Sequence, residues 1–167
     1  DRIKKIRSLG IDRKKNNHWD YDVLYYGLNL RLNDFQCALG LSQLKKLNLF
    51  LKSRKIIADR YSNELKDIKE LFTPNYLSNY KSSYHLYIIN LKSKNLAIKE
   101  KLIKFMFKKK IILQYHYIPL YKFKIFKGKY DGKNAEHYYK SSVSLPIYYG
   151  LKYNEQTKVI KLLKYFF

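Results

Sequence analysis

The run from Asn33 to Ile68 constrains this chain more than any other part of it. No proline interrupts it, the first one downstream being Pro74, and apolar residues recur at three- and four-residue steps. Phe35, Ala38, Leu39 and Ser42 share one face, and Leu41, Leu44, Leu47 and Leu51 share another. Ile57, Tyr61, Leu65 and Ile68 continue the period. The start is well marked. Asn33 can cap, Gln36 at the third helical position completes a capping box, and Asp34 adds negative charge where the helix dipole favours it. Unbroken to Lys66, such a helix is about 45–50 Å long at about 1.5 Å per residue, more than one small core needs. That length predicts a strut joining two domains or lying along a dimer seam. Apolar residues on more than one face predict a helix with two neighbours, and Cys37, inside the pattern, is expected to be a small buried hydrophobe.

Just upstream, in Gly27-Leu28-Asn29-Leu30-Arg31-Leu32, Asn29 and Arg31 stand two residues apart ahead of the helix start. In extended chain that spacing points both side chains the same way. An amide and a guanidinium beside a helix N-terminus suit a phosphate or a carboxylate. The same residues also fit a solvated surface loop, and spacing alone leaves both readings open.

The rest of the chain reads as a series of short elements. Asp1 to Leu9 has the pattern of the last turns of a helix stopped at Gly10, and Ile11 to Tyr26 reads as an irregular, aromatic loop holding Trp19. Beyond Leu71 the pattern predicts a strand over Tyr84–Leu91, a helix over Leu96–Lys109 and a strand over Ile111–Tyr117. A short helix over Pro119–Phe126 follows, then a helix capped by Asn134 and running to Lys140. A strand over Ser142–Leu145 and a terminal helix over Asn154–Phe167 complete the order. This describes an α/β layer unit of roughly one hundred residues.

Hydrophobic residues make up 46% of the 167 residues, enough for a real core and too many for wholesale disorder. No apolar run approaches the roughly 18 residues that span a membrane, and no signal-peptide pattern is visible. A single cysteine excludes an internal disulfide framework, so a cytoplasmic setting is the expectation. The net charge of +22 admits a basic nucleic-acid-binding module. Yet the lysines are spread along the whole chain, and only Phe107 to Ile111 resembles a charge block. Abundant Lys, Asn, Ile, Tyr and Phe together fit a compositional bias better than one selected patch. Gly-rich phosphate loops, metal-spaced His pairs and a Gly-x-Ser-x-Gly elbow are missing from the sequence, and no metal is expected. Ser82 to Tyr87 and Gln114 to Leu120 each place a His and a Tyr at a strand. His85, His116 and Tyr117 could therefore line a polar pocket, or be rim aromatics.

Together these pieces resemble the DegT/DnrJ/EryC1/StrS family of pyridoxal-phosphate sugar aminotransferases. The likeness rests on Arg7-Ser8-Leu9-Gly10-Ile11-Asp12-Arg13, Gly27 to Gly40 with Leu41-Ser42-Gln43-Leu44, and Ala58-Asp59-Arg60-Tyr61. It continues through Ser83-Tyr84-His85-Leu86-Tyr87, Gln114 to Pro119, Ala135-Glu136-His137-Tyr138-Tyr139 and Ser144-Leu145-Pro146. The resemblance implies an α/β fold, the C-terminal part of a type I aminotransferase. Residues 1–69 would be the end of the large cofactor-binding domain with the interdomain helix, and residues 70–167 the small α/β domain. It implies a homodimer whose active sites are shared between subunits, with Asn29 reaching the cofactor phosphate across the interface. Arg31 would lie near that phosphate or the diphosphate of a UDP-sugar. His116 and Tyr117 would line the sugar-nucleotide side, joined by His85. The implied reaction moves an amino group from glutamate to C4 of a UDP-4-keto-6-deoxy-hexosamine in surface-glycan biosynthesis. The sequence departs from the family where Leu9 replaces a histidine and where Leu28 and Leu30 replace aromatic residues. No lysine here lies in the context of the family's Schiff-base lysine, so this chain alone is expected to be catalytically silent. A non-catalytic truncated relative and the nucleic-acid module are the rival readings.

Overall fold

The capping box at Asn33 is present: Gln36 N donates to Asn33 Oδ1 at 2.9 Å and Asn33 N to Gln36 Oε1 at 3.1 Å. It starts a helix in the computed structural model, which describes residues 1–13, 19–75, 81–93, 95–126 and 132–167. These form two compact units, Asp1–Leu47 and Asn48–Phe167.

The first unit holds helix α1 (Arg2–Arg7), strands β1 (Ile11–Arg13) and β2 (Tyr21–Val23), and helix α2 (Asp34–Leu44). The loop expected over Ile11–Tyr26 is instead an antiparallel pair, with Ile11 opposite Val23 and Arg13 opposite Tyr21. Three-residue strands are too short to show a period, which is why the pattern did not reveal them. Helix α1 ends by a left-handed chain reversal at the expected stop, Gly10, with φ of 72°, joined by Leu9 before it with φ of 66°. Gly10 N then closes the turn on Lys5 O at 2.8 Å. Gly10 is needed for space as well as for its φ of 72°: a Cβ there would lie 1.8 Å from Tyr25 O.

The long helix is interrupted. Helix α2 stops at Leu44 and α3 runs over Leu47–Leu65. Lys46 N bonds three residues back to Gln43 O at 3.0 Å, tightening the chain into a turn. Lysines are good helix formers, so propensity did not announce the break. None of the side chains of α2 is buried, whereas α3 buries Ile57, Ala58, Tyr61 and Leu65. For the α2 half, the two neighbours expected of this helix are therefore not supplied by the described residues. Cys37 is exposed rather than buried for the same reason.

In the second unit a three-stranded antiparallel sheet has the order β3–β4–β5, with β3 at Leu71–Phe72, β4 at Tyr87–Leu91 and β5 at Ser142–Leu145. Tyr87 faces Leu145 and Ile89 faces Val143 across the β4–β5 ladder. Tyr87, Ile89 and Leu91 are buried on alternate positions, as a half-covered strand requires. Against them pack α3, α4 (Leu96–Lys108) through Leu102 and Met106, and α6 (Tyr153–Phe166) through Val159, Ile160 and Leu163. Arg60 joins α3 to α6, donating to Gln156 Oε1 at 3.1 Å and Thr157 Oγ1 at 2.6 Å.

Three further expectations are corrected. The strand over Ile111–Tyr117 shrinks to one bridge, between Gln114 and Ser144. Ile111 and Leu113 are buried and Ile112 and Gln114 exposed, so the alternation marked burial without a ladder. The helix over Pro119–Phe126 is a 3-10 turn at Leu120–Lys122. Helix α5 (Lys133–Ser141) has Gly132, not Asn134, at its N-cap position and no side-chain cap bond; a Cβ at residue 132 would fall 2.4 Å from the Tyr121 ring.

A left-handed φ costs a side chain such as leucine about 1–2 kcal/mol, and asparagine tolerates it better. Leu9→Asn is thus expected to raise stability by about 1 kcal/mol. A shift of the denaturant midpoint to higher concentration, followed by Trp19 fluorescence, checks this.

Candidate functional site

In the first unit the chain before α2 runs extended along the end of α1. Leu28 N donates to Ile6 O and Leu30 N to Arg7 O, each at 2.9 Å, and Asn29 bridges Ser8. This pairing holds the segment of Asn29 and Arg31 extended, and both residues are exposed. Arg31 lines a cavity of about 520 Å³ with Lys4, Lys5, Arg7 and Arg13, and Asp1 and Asp12 are the carboxylates on its wall. Lys5 and Asp12 pair at 2.8 Å. Cations outnumber carboxylates in the lining, so the cavity is electropositive, and its volume has room for more than a phosphate group. Asn29 is not among its lining residues.

In the second unit the structure brings His85 and His116 to one cavity of about 280 Å³, together with Gln114, Ser144 and Tyr148. The imidazole of His116 is oriented by Ser144, with Nδ1 at 2.8 Å from Oγ. That contact engages one ring nitrogen and leaves Nε2 for other partners. Arg54 holds the walls of this cavity through Nη1, which donates to Tyr84 O at 3.1 Å, His85 O at 3.0 Å and Ile147 O at 3.2 Å. Tyr61 adds a bond from its hydroxyl to Pro146 O at 3.0 Å.

Tyr117 lies elsewhere. Its ring meets that of His116 edge-on at 4.7 Å, yet it lines a separate apolar groove of about 700 Å³ with Tyr115, Pro119, Leu120, Phe123 and Tyr138. The groove's wall is fastened by Glu136 of α5, which accepts from Tyr121 Oη at 2.8 Å and Lys122 Nζ at 2.9 Å. Lys140 stands 3.4 Å from the same carboxylate. The hydrogen bond from Lys122, then that from Tyr121, holds the Glu136 carboxyl down at about 2.

Arg54, Glu136, Ser144 and Lys99 were not singled out from the sequence. For Lys99 a signal existed. It stands three residues before Leu102 and seven before Met106, a charged residue on the buried stripe of α4. For Arg54 there was none, because its acceptors are main-chain carbonyls distant in sequence.

Helices packed on an antiparallel sheet, with cavities at the His-bearing segments, match part of the fold of solved aminotransferases. A solved aminotransferase of Helicobacter pylori, involved in the biosynthesis of pseudoaminic acid, superposes with a TM-score of 0.83 at 30% identity, over 99% of this chain and 45% of its own. A Streptococcus pneumoniae protein solved in its PLP-form shares the fold, with a TM-score of 0.82 and 24% identity, over 98% of this chain and 42% of its own. The chain belongs to the DegT/DnrJ/EryC1/StrS aminotransferase family, which it matches over residues 1–164. Among curated relatives, the UDP-4-amino-4,6-dideoxy-N-acetyl-beta-L-altrosamine transaminase of Campylobacter jejuni is 39% identical over 149 residues, 87% of this chain and 39% of that protein. The chain thus spans about two-fifths of the length of the curated relatives it matches most strongly. Among the described residues, no helix is long and apolar enough to cross a membrane.

Glu136 titrates far below an unfolded glutamate of 4.5, so its contribution to stability is complete above that value and is lost as pH falls towards about 2. Glu136→Gln is expected to lower stability at neutral pH and to flatten the acid-side decline across that window. Chemical denaturation at a series of acid pH values reads both effects.

Proposed function

We propose that the chain is part of a pyridoxal-phosphate-dependent nucleotide-sugar aminotransferase that acts in the cytoplasm on a UDP-4-keto-6-deoxy-hexosamine, with glutamate as amino donor. The observation that carries this reading is the electropositive cavity holding Arg31, in a chain that belongs to a sugar-aminotransferase family. The sugar class follows from the transaminases acting on altrosamine derivatives that it is similar to. Bound pyridoxal phosphate supplies the electron sink for amino transfer.

The donor set fits the cofactor's phosphate: a guanidinium at Arg31, further cations at Lys4, Lys5, Arg7 and Arg13, and the amide of Asn29 beside them in sequence. In this reading Asn29 and Arg31 serve a phosphate belonging to the partner subunit of a homodimer. The uncovered apolar side chains of α2, among them Phe35, Leu39, Leu41 and Leu44, support such an association. His116, turned by Ser144, offers Nε2 to the nucleotide-sugar, with His85 on the same cavity and Tyr117 on the neighbouring groove. In this reading residues 1–69 are the end of the large domain with the interdomain helix and residues 70–167 the small domain, although the compact units divide earlier, between Leu47 and Asn48. The comparisons give no support to a nucleic-acid partner.

The full-length gene product is expected to carry the visible absorbance of bound cofactor and to aminate a UDP-4-keto sugar with glutamate. Arg31→Ala is expected to weaken cofactor retention about 10- to 100-fold, the loss of one charge-assisted contact. Purified full-length protein without cofactor absorbance, or an Arg31→Ala variant that retains cofactor as the wild type does, refutes the assignment.

A further inference from the structure

We infer that Lys99 is a positioning residue for the His116–Tyr117 segment, gripping it from behind through Tyr115. The inference rests on the reading of that segment as the nucleotide-sugar side of the site.

Lys99 is 1% exposed, on the core-facing stripe of α4. Its Nζ lies 4.5 Å from the centroid of the Tyr115 ring and 4.6 Å from that of Tyr139, and it donates to the Tyr139 carbonyl oxygen. The two rings meet edge to face at 6.0 Å. A single ammonium thus ties three parts of the second unit together: α4, α5 and the segment after Leu113. Among the described residues no carboxylate lies within ion-pair distance of it. A buried cation with no anion is unfavourable unless the groups around it reward the charge. Here they are two π faces and one carbonyl.

Tyr115 precedes the site residues directly. It lines the apolar groove with Tyr117, while His116 between them lines the other cavity. On its far side the segment is fixed by the Gln114–Ser144 bridge and the His116–Ser144 contact. Without the grip on Tyr115, the segment keeps its contacts with β5 and the edge contact of Tyr115 with Tyr139, and loses its tie to α4.

Burial lowers the ammonium from the ordinary lysine value to about 8. The groups that face it are the phenols of Tyr115 and Tyr139. Beyond Tyr139 stands Lys122, 4.7 Å from the same ring and paired with Glu136. Above that pH the amine keeps its hydrogen bond and loses its attraction for both rings.

The test is NMR of the full-length protein with labelled His and Tyr rings. The titration runs from about pH 6 to about pH 10, so that the step lies between ordinary imidazole and phenol ionisation. Tyr115, His116 and Tyr117 resonances are expected to shift together with a midpoint of about 8. Lys99→Arg, charged throughout, is expected to abolish the step, and Lys99→Met, with neither the charge nor the hydrogen bond, to show no step and to hold Tyr115, His116 and Tyr117 away from their low-pH wild-type positions at every pH. The inference is overturned if the wild type shows no common step. It is equally overturned if Lys99→Met moves Tyr115 and Tyr139 but leaves His116 and Tyr117 in place. Should Lys99→Met not fold, the wild type and Lys99→Arg decide between them. UDP added to the wild type separates the two readings. A step that persists while UDP leaves His116 unperturbed supports the grip and refutes the nucleotide assignment.

Discussion

Strand β5 is paired on both edges, and the candidate site depends on that. Ser144 stands opposite Ile88 of β4 on one side. On the other it exchanges backbone bonds with Gln114, at 2.6 and 3.3 Å. Ser142, Val143, Ser144 and Leu145 are all buried in this short strand, so both of its faces are covered. The double pairing fixes the register. A one-residue slip would exchange Val143 and Ser144 between faces and separate the Ser144 hydroxyl from His116. The orientation of the imidazole is therefore a consequence of sheet register, not of the loop that bears it.

The positive charge takes on a different meaning once the contacts are seen. A net charge of +22 suggests an outward-facing electrostatic role. Several cations are instead used inside the second unit, on oxygens of the main chain. Arg54 reaches three carbonyls, Arg60 one carbonyl and two side-chain oxygens, and Lys99 one carbonyl between two aromatic rings. Each joins segments far apart in sequence where no ladder or helix bond is available. Because the acceptors are neutral, these contacts fasten without requiring a matching supply of acidic residues.

The first unit is organised differently. Its segments are tied by backbone bonds between the end of α1 and the strand-like run before α2, and by the close approach of Gly27 to Gly10. Its apolar side chains largely remain uncovered, from Leu28 through Leu44. In a chain spanning about two-fifths of its relatives' length, that pattern agrees with the proposed subunit seam.

The sequence by itself determined the helix start at Asn33, the strand at Ser142–Leu145, the terminal helix to within a residue, and the family. These are local or strongly periodic signals, set by capping chemistry and by which side of an element is apolar. Whether the run beyond Leu44 continued, whether Cys37 was covered, and whether residues after Leu113 formed a ladder were decided by tertiary structure. Burial and strand pairing are properties of neighbours, and a neighbour can lie anywhere in the sequence. The same holds for the site. His85 and His116 were legible as residue types at strand ends. Their meeting in one cavity, the Arg54 and Ser144 contacts at its walls, and the Lys99 contacts behind Tyr115 exist only because the fold carries distant backbone oxygens and aromatic rings to those side chains.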